Sequence, residues 1–335
     1  MDFKKVLLGT TAVFGASAMI SSAQAGDLEV GVSGFMRTLA AFGDLDNESG
    51  NNDSRSFYFR NDSEVHVNAR ATDDETGLSY GATIEFETDT NRNDNTDETW
   101  IFISGGFGEL RFGDEDGASD NMKIGGFSAA AGTGGIDGAG EVASVDFGLT
   151  NSSDATKVIY YSPVVSGFQL GVSFTPDTGH AGAQENPADN NGNLEDMVEA
   201  GATYAGSFGG LDVKAAVVGY TADGEDGSPV GDANGIGGGA SVGFAGFTFA
   251  GGYYADENQD NINAGVKGSF GPANVSVNYA YSDIDGGGEP ENIVLSADVG
   301  ILPGVTLAGD VSFFDRDDGG DDDGVTGVAR LGVAF

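Results

Sequence analysis

Val305-Thr306-Leu307-Ala308-Gly309-Asp310-Val311-Ser312-Phe313 sorts its side chains by twos: Val305, Leu307, Val311 and Phe313 fall on one face, Thr306, Ala308, Asp310 and Ser312 on the other. A period of two is that of an extended strand, and no helical spacing fits it. The same alternation returns in Val275, Val277, Tyr279 and Tyr281, in Ile293, Leu295, Ala297 and Val299, in Phe168, Leu170, Val172 and Phe174, and in Leu78, Tyr80, Ala82, Ile84 and Phe86. Sixteen such segments begin near residues 29, 55, 76, 98, 108, 155, 167, 197, 210, 235, 246, 260, 273, 290, 304 and 323. An even number of antiparallel strands can close on itself. The connections alternate: short turns near Asp74, Gly106, Val165, Ser207, Ala245, Pro272 and Pro303, and polar loops between them near 44–54, 89–97, 115–154, 176–196, 222–234, 256–259, 284–289 and 316–322. Long connections on one rim and short ones on the other are the asymmetry of a transmembrane β-barrel.

The second face of each segment decides between a wet and a dry interior. Gly, Ser, Thr, Ala, Asp and Glu fill it, which suits a water-filled lumen better than the packed core of a soluble sandwich. Aromatic residues gather at segment ends, among them Phe42, Phe57, Phe59, Tyr160, Tyr161, Tyr253, Tyr254 and Phe313, as interfacial girdles require. No composition break interrupts the rhythm, so residues 26–335 read as one barrel domain.

Export is written at the N-terminus. Lys4 and Lys5 precede an apolar run from Val6 to Ile20, and Ala23-Gln24-Ala25 is a small-x-small cleavage site, so residues 1–25 read as a signal peptide cut between Ala25 and Gly26. The run is too short for a spanning helix, which needs about 20 apolar residues.

Charge and composition exclude whole classes of function. The 335 residues carry 53 Asp+Glu against 14 Lys+Arg, a formal charge of −39, so the basic footprint of a nucleic-acid partner is missing. With no Cys and two His, thiolate metal sites, cysteine nucleophiles and disulfide scaffolds are absent as well. An enzyme would need a base, and only His66 and His180 could serve, so the channel reading is preferred to a barrel lipase or protease. A non-conducting barrel acting as adhesin or scaffold is the other alternative, and it would need a plugged lumen.

Several stretches resemble a known family. Gly31-Val32-Ser33-Gly34-Phe35-Met36-Arg37 looks like the first strand of Gram-negative general diffusion porins. Gly106-Phe107-Gly108-Glu109-Leu110-Arg111-Phe112-Gly113 resembles the hairpin those porins place before their third loop. Val158-Ile159-Tyr160-Tyr161-Ser162-Pro163 followed by Gly167-Phe168-Gln169-Leu170-Gly171-Val172 resembles the hairpin after it. Phe335, with Val333 and Leu331 at alternate positions, is similar to the porin assembly signal. The resemblance implies an all-β fold: a sixteen-stranded antiparallel barrel in the outer membrane of a Gram-negative bacterium, assembled as a homotrimer. Its long third loop, here residues 115–154, folds into the pore as a constriction. The implied function is passive diffusion of ions and small hydrophilic solutes, with lipid and lipopolysaccharide as surroundings and no cofactor. The excess of carboxylates makes weak cation selectivity the expectation. The Gly-rich, Ala-rich stretch from Gly125 to Gly140 is suited to lying against a barrel wall.

Strand parity then selects pore-facing residues. Val30, Val32 and Met36 outward send Arg37 inward; Val65, Val67 and Ala69 do the same for Arg60, Arg70 and His66; Leu110 and Phe112 for Arg111; Val158 and Tyr160 for Lys157. Arg37, Arg60, Arg70, Arg111 and Lys157 are therefore the expected basic side of the constriction. The resemblance places loop carboxylates opposite them, here Asp137, Glu141 and Asp146. Asp315, Asp317, Asp318, Asp321, Asp322 and Asp323 form an acidic cluster that offers oxygens to Ca²⁺ or other divalent cations, without a fixed ligand spacing.

Overall fold

Alternating apolar and small polar residues build strands that are apolar outside and polar inside. In the computed structural model these strands close on themselves. Residues 28–43, 56–88, 96–142, 145–182, 193–225, 231–317 and 323–335 are described. The first eight strands are β1 (Glu29–Gly43), β2 (Phe57–Thr72), β3 (Ser79–Glu87), β4 (Thr96–Gly105), β5 (Gly108–Asp114), β6 (Thr156–Tyr161), β7 (Phe168–Asp177) and β8 (Leu194–Phe208). The rest are β9 (Leu211–Gly224), β10 (Ala233–Phe244), β11 (Phe247–Asp256), β12 (Gln259–Phe270), β13 (Ala273–Ile284), β14 (Glu291–Leu302), β15 (Val305–Asp315) and β16 (Asp323–Ala334). Each pairs antiparallel with its neighbours in sequence, and β1 pairs with β16 to complete a closed barrel. Phe335 makes the last rung of that seam: its carbonyl accepts from Gly34 N at 2.9 Å and its amide donates to Gly34 O at 3.0 Å. Every strand starts within a few residues of where the alternation places it.

The outward series is exposed as a lipid-facing surface must be: Phe168 59%, Leu170 59%, Val172 42% and Phe174 43% on β7 alone. Immersed in hydrocarbon, with all ladder hydrogen bonds satisfied and no open edge, such a wall is stable. No helix among the described residues is long and apolar enough to cross a membrane, so crossing falls to the strands.

Two features of the sequence reading are corrected. The connection near 256–259 is a tight turn of residues 257–258, closed by Asp256, whose carboxylate accepts from Asn258 N at 3.0 Å and Gln259 N at 3.1 Å. Tyr161 and Tyr254 do not belong to a girdle: they are 9% and 0% exposed, inside the barrel. Adjacent residues of a strand point to opposite faces, so in Tyr160-Tyr161 and Tyr253-Tyr254 only the first of each pair faces out.

The segment between β5 and β6 turns into the barrel and is held there by three apolar clusters. It contains one short helix, α1 (Ala118–Met122), and two 3-10 turns, Gly126–Ala129 and Gly135–Asp137. Leu39, Val294 and Val328 from the wall close on Ile136, Val142 and Val145. Ile159, Val218 and Tyr254 close on Ala118 and Met122, and Leu149 packs against this group and against Met197 and Tyr220.

Candidate functional site: the inserted loop and the lumen wall

Sealing backbone inside a barrel leaves its amides and carbonyls in need of partners, and the polar inward face of β12–β15 supplies them. Asn263 accepts from Gly126 N at 2.6 Å and donates to Phe147 O at 2.8 Å; Asn278 donates to Gly126 O at 2.8 Å; Asn261 donates to Gly148 O at 2.8 Å. Ser276 accepts from Ala131 N at 2.8 Å, Asp298 from Gly132 N at 3.0 Å and Asp310 from Thr133 N at 3.0 Å. The Gly-rich stretch does lie against the wall. A Cβ on Gly126 would meet Ala264 backbone at 2.6 Å, and Gly239 and Gly265 opposite leave no room for one either.

The two ends of the loop are stitched to one carboxylate. Glu199 of β8, fully buried, accepts from Ser119 at 2.7 Å, Ser152 at 2.5 Å and Ser173 at 3.2 Å. Beside it Lys157 points inward, as its parity requires, but it is 1% exposed, and its ammonium donates to the carbonyls of Glu115 and Ser153. Lys157 therefore fastens the loop roots and lies beneath the lumen surface, covered by the very segment it was expected to face.

The other basic residues remain at the lumen wall, mostly paired. Arg60 donates to both carboxylate oxygens of Glu141, at 2.8 and 3.0 Å. Arg37 lies 3.2 Å from Asp62 and 3.5 Å from the centroid of the Phe35 ring. Arg111 binds Glu109 at 2.7 Å and also Glu115, with its guanidinium 4.5 Å from the Trp100 ring. Arg70 sits 4.9 Å from the Phe102 ring and is exposed. Of the three loop acids, Glu141 meets a basic wall residue, whereas Asp137 and Asp146 are exposed. The cleavage site and Asp318, Asp321 and Asp322 lie outside the described residues. Asp317 accepts from Glu289 N at 2.9 Å, and Asp323 stands opposite Asp315 across the β15–β16 ladder.

Two groups escaped the sequence reading. Arg330 reaches the carbonyls of Thr133 and Gly132 at 3.4 and 3.3 Å, and the parity of Leu331 and Val333 already sends it inward. The anchoring role of Glu199 left no trace in sequence, because its partners come from the loop.

Burial locates the passage. Along β7–β15 the inward side chains beneath the loop are covered, with Thr175, Glu199, Asn278 and Ser312 at 0%. Along β1–β3 they stay open: Arg37 34%, Asp62 30%, His66 27% and Glu85 19% of their side chains. The inserted loop therefore packs chiefly on the far wall; it touches the β1–β4 side at Leu39, Arg60 and Glu98 and leaves Arg37, Asp62, His66 and Glu85 open. Three carboxylates cluster beside that side, Glu98 of β4 with Asp116 and Asp154 of the loop. Burial, with the nearby charges of Asp120 and Asp154, raises the Asp116 carboxyl from 3.8 to about 6.

A closed sixteen-stranded barrel with a loop inserted beside a charged wall has the architecture of an outer-membrane β-barrel. Residues 9–320 match the Gram-negative porin family, and the chain belongs to it. Among solved structures it is similar to an anion-selective porin from Comamonas acidovorans, with 18% identity over 92% of this chain and 100% of that one and a TM-score of 0.68. A mutant of the Rh. blastica porin gives 16% identity, coverage of 91% and 100%, and a TM-score of 0.63. An outer membrane protein of Vibrio cholerae with a loop deleted gives 14%, 92% and 99%, and 0.64. An uncharacterized protein of Rickettsia bellii (strain RML369-C) is 25% identical over 213 residues, which are 53% of this chain and 48% of that protein, so the match spans about half the relative's length.

Proposed function

We propose that this porin conducts ions and small hydrophilic solutes with a preference for cations, working as a homotrimer. The observation that carries the preference is charge compensation at the wall. Arg37, Arg60 and Arg111 are each paired to a carboxylate, while Asp137 and Asp146 of the loop are exposed and Asp116 gains its charge above about pH 6. A lumen with surplus carboxylates concentrates cations, and salt screens the effect. Similarity to an anion-selective porin shows that this fold is compatible with the opposite sign, so selectivity belongs to the side chains. Asp137 and Asp146 on the loop, and Arg37 and Arg70 on the wall, are the groups a passing solute meets.

The test is a planar bilayer carrying the protein from Gly26 to Phe335 under a KCl gradient. Ohmic steps that close in thirds, with a reversal potential on the cation side that shrinks at high salt, support the reading. An anion-side reversal refutes the selectivity. Silence from folded protein refutes conduction and favours a plugged barrel.

A further inference from the structure

The open wall carries a donor set of a different kind from its ion pairs. His66 of β2 stands opposite Glu85 of β3 in the ladder, and Glu64 lies two residues along on the same inward face. One donor atom from each of the three residues lies within 4.8 Å of the others. His66 Nε2 is 3.3 Å from Glu64 Oε1, and Nδ1 is 3.6 Å from Glu85 Oε1. Nε2 is shielded from solvent yet makes no hydrogen bond among the described residues. The next rung is occupied with itself, Thr83 donating to Asn68 at 2.9 Å. All three side chains keep between 15% and 27% exposure to the lumen, although the shielded Nε2 itself is reached only when the ring or a carboxylate turns.

We propose that Glu64, His66 and Glu85 form a lumenal site for a divalent transition-metal ion of the zinc type. One imidazole nitrogen and two carboxylate oxygens suit a borderline ion that takes four ligands, the fourth being water. Calcium and magnesium require six or more oxygens and gain little from imidazole. Two carboxylates also balance the charge of the ion. Donors on a tetrahedral zinc with bonds of about 2.1 Å sit about 3.4 Å apart. The three donors here lie within 4.8 Å of one another, and because Glu64 faces Nε2 and Glu85 faces Nδ1, one carboxylate or the ring reorients to bring both to the side of the metallated nitrogen. The Glu98, Asp116 and Asp154 group differs in offering oxygen only. A bound ion would add positive charge beside the passage and so lower both current and cation preference. That consequence rests on the proposed passage along β1–β4, whereas binding itself does not.

Binding and conduction are therefore measured separately. Zinc chloride titrated calorimetrically into the detergent-folded barrel at neutral pH is expected to bind once per chain at this site. His66→Asn and Glu85→Gln should each weaken it by about tenfold or more. Excess calcium should not displace it. Retained folding of both variants is checked by the heat-dependent shift of the barrel in gel electrophoresis. No zinc binding by the wild type, unchanged affinity in His66→Asn, or displacement by equimolar calcium would overturn the site. In bilayers, zinc should reduce cation selectivity in the wild type and leave His66→Asn unaffected. Zinc binding with unaltered current supports the site and counts against the passage.

Discussion

Arg60 and Glu141 meet end to end, two hydrogen bonds of 2.8 and 3.0 Å joining β2 to the inserted loop. Burial opposes ionisation of Glu141, but Arg60, together with the Tyr58 hydroxyl, outweighs it and holds the carboxyl below its ordinary 4.5. A depressed folded value means that this contribution is intact above the ordinary value and disappears as pH falls through the folded one. Arg60 is 41% exposed, so screening limits the coupling to about 1 kcal/mol. Glu141→Gln and Arg60→Gln should each increase open-channel noise, and the double variant should be no noisier than either. Additive noise in the double variant would show that the two act separately.

Glu199 is the stronger fastening, because it is fully buried and three serine hydroxyls converge on it. Replacing it by Leu removes every acceptor while the donors stay buried, at a cost of roughly 3 kcal/mol or more. The loss falls on the loop roots, not on the ladder. Circular dichroism should therefore keep its strand signature while single-channel steps become heterogeneous in size. Uniform steps in Glu199→Leu would remove the carboxylate from the account of loop seating.

How far the sequence carried this account follows from the range of each signal. Strand positions and faces were legible because a two-residue period is local, and it sent Arg37, Arg60, Arg70, Arg111 and Lys157 inward, as found. Height and cover are not local. Nothing near Lys157 says that Glu115 and Ser153 close over it, and nothing near Tyr254 says that its hydroxyl donates to Ile124 O at 2.7 Å. The loop's small residues announced a close approach. The wall residues that receive it, Asn263, Asn278 and Asp310, were indistinguishable by pattern from ordinary lumen polar groups.

Gly265 tests that close approach. Its missing side chain admits the backbone of Gly126, to which Asn278 donates at 2.8 Å. The β12 backbone is fixed by ladders on both sides, so in Gly265→Val it is the loop that must move, away from β12 and toward the β1–β4 side. Single-channel conductance is expected to fall by about half or more, with the strand signature in circular dichroism retained. Gly300→Ala, where a side chain would meet open space, is the control and should conduct normally. Unchanged conductance in Gly265→Val would mean that the loop does not bound the passage.

Asp116 gives the channel a pH dependence in the neutral range. Burial first, then Asp120 and Asp154, raise its carboxyl to about 6, against the pull of Lys123 and Lys157. Below that value the group is neutral, and above it the free side of the lumen gains a negative charge. Cation preference should therefore rise between about pH 5 and 7, and Asp116→Asn should flatten the rise. Stability runs the other way: a raised folded value favours the folded state fully below about 4, the unperturbed range, and that advantage is lost as pH climbs through about 6. Asp116→Asn should then melt later than the wild type at pH 7.5 and at the same temperature near pH 4. Reversal potentials and melting curves across this window check both signs. A wild-type selectivity that is flat from pH 5 to 7 would place Asp116 outside the conducting path.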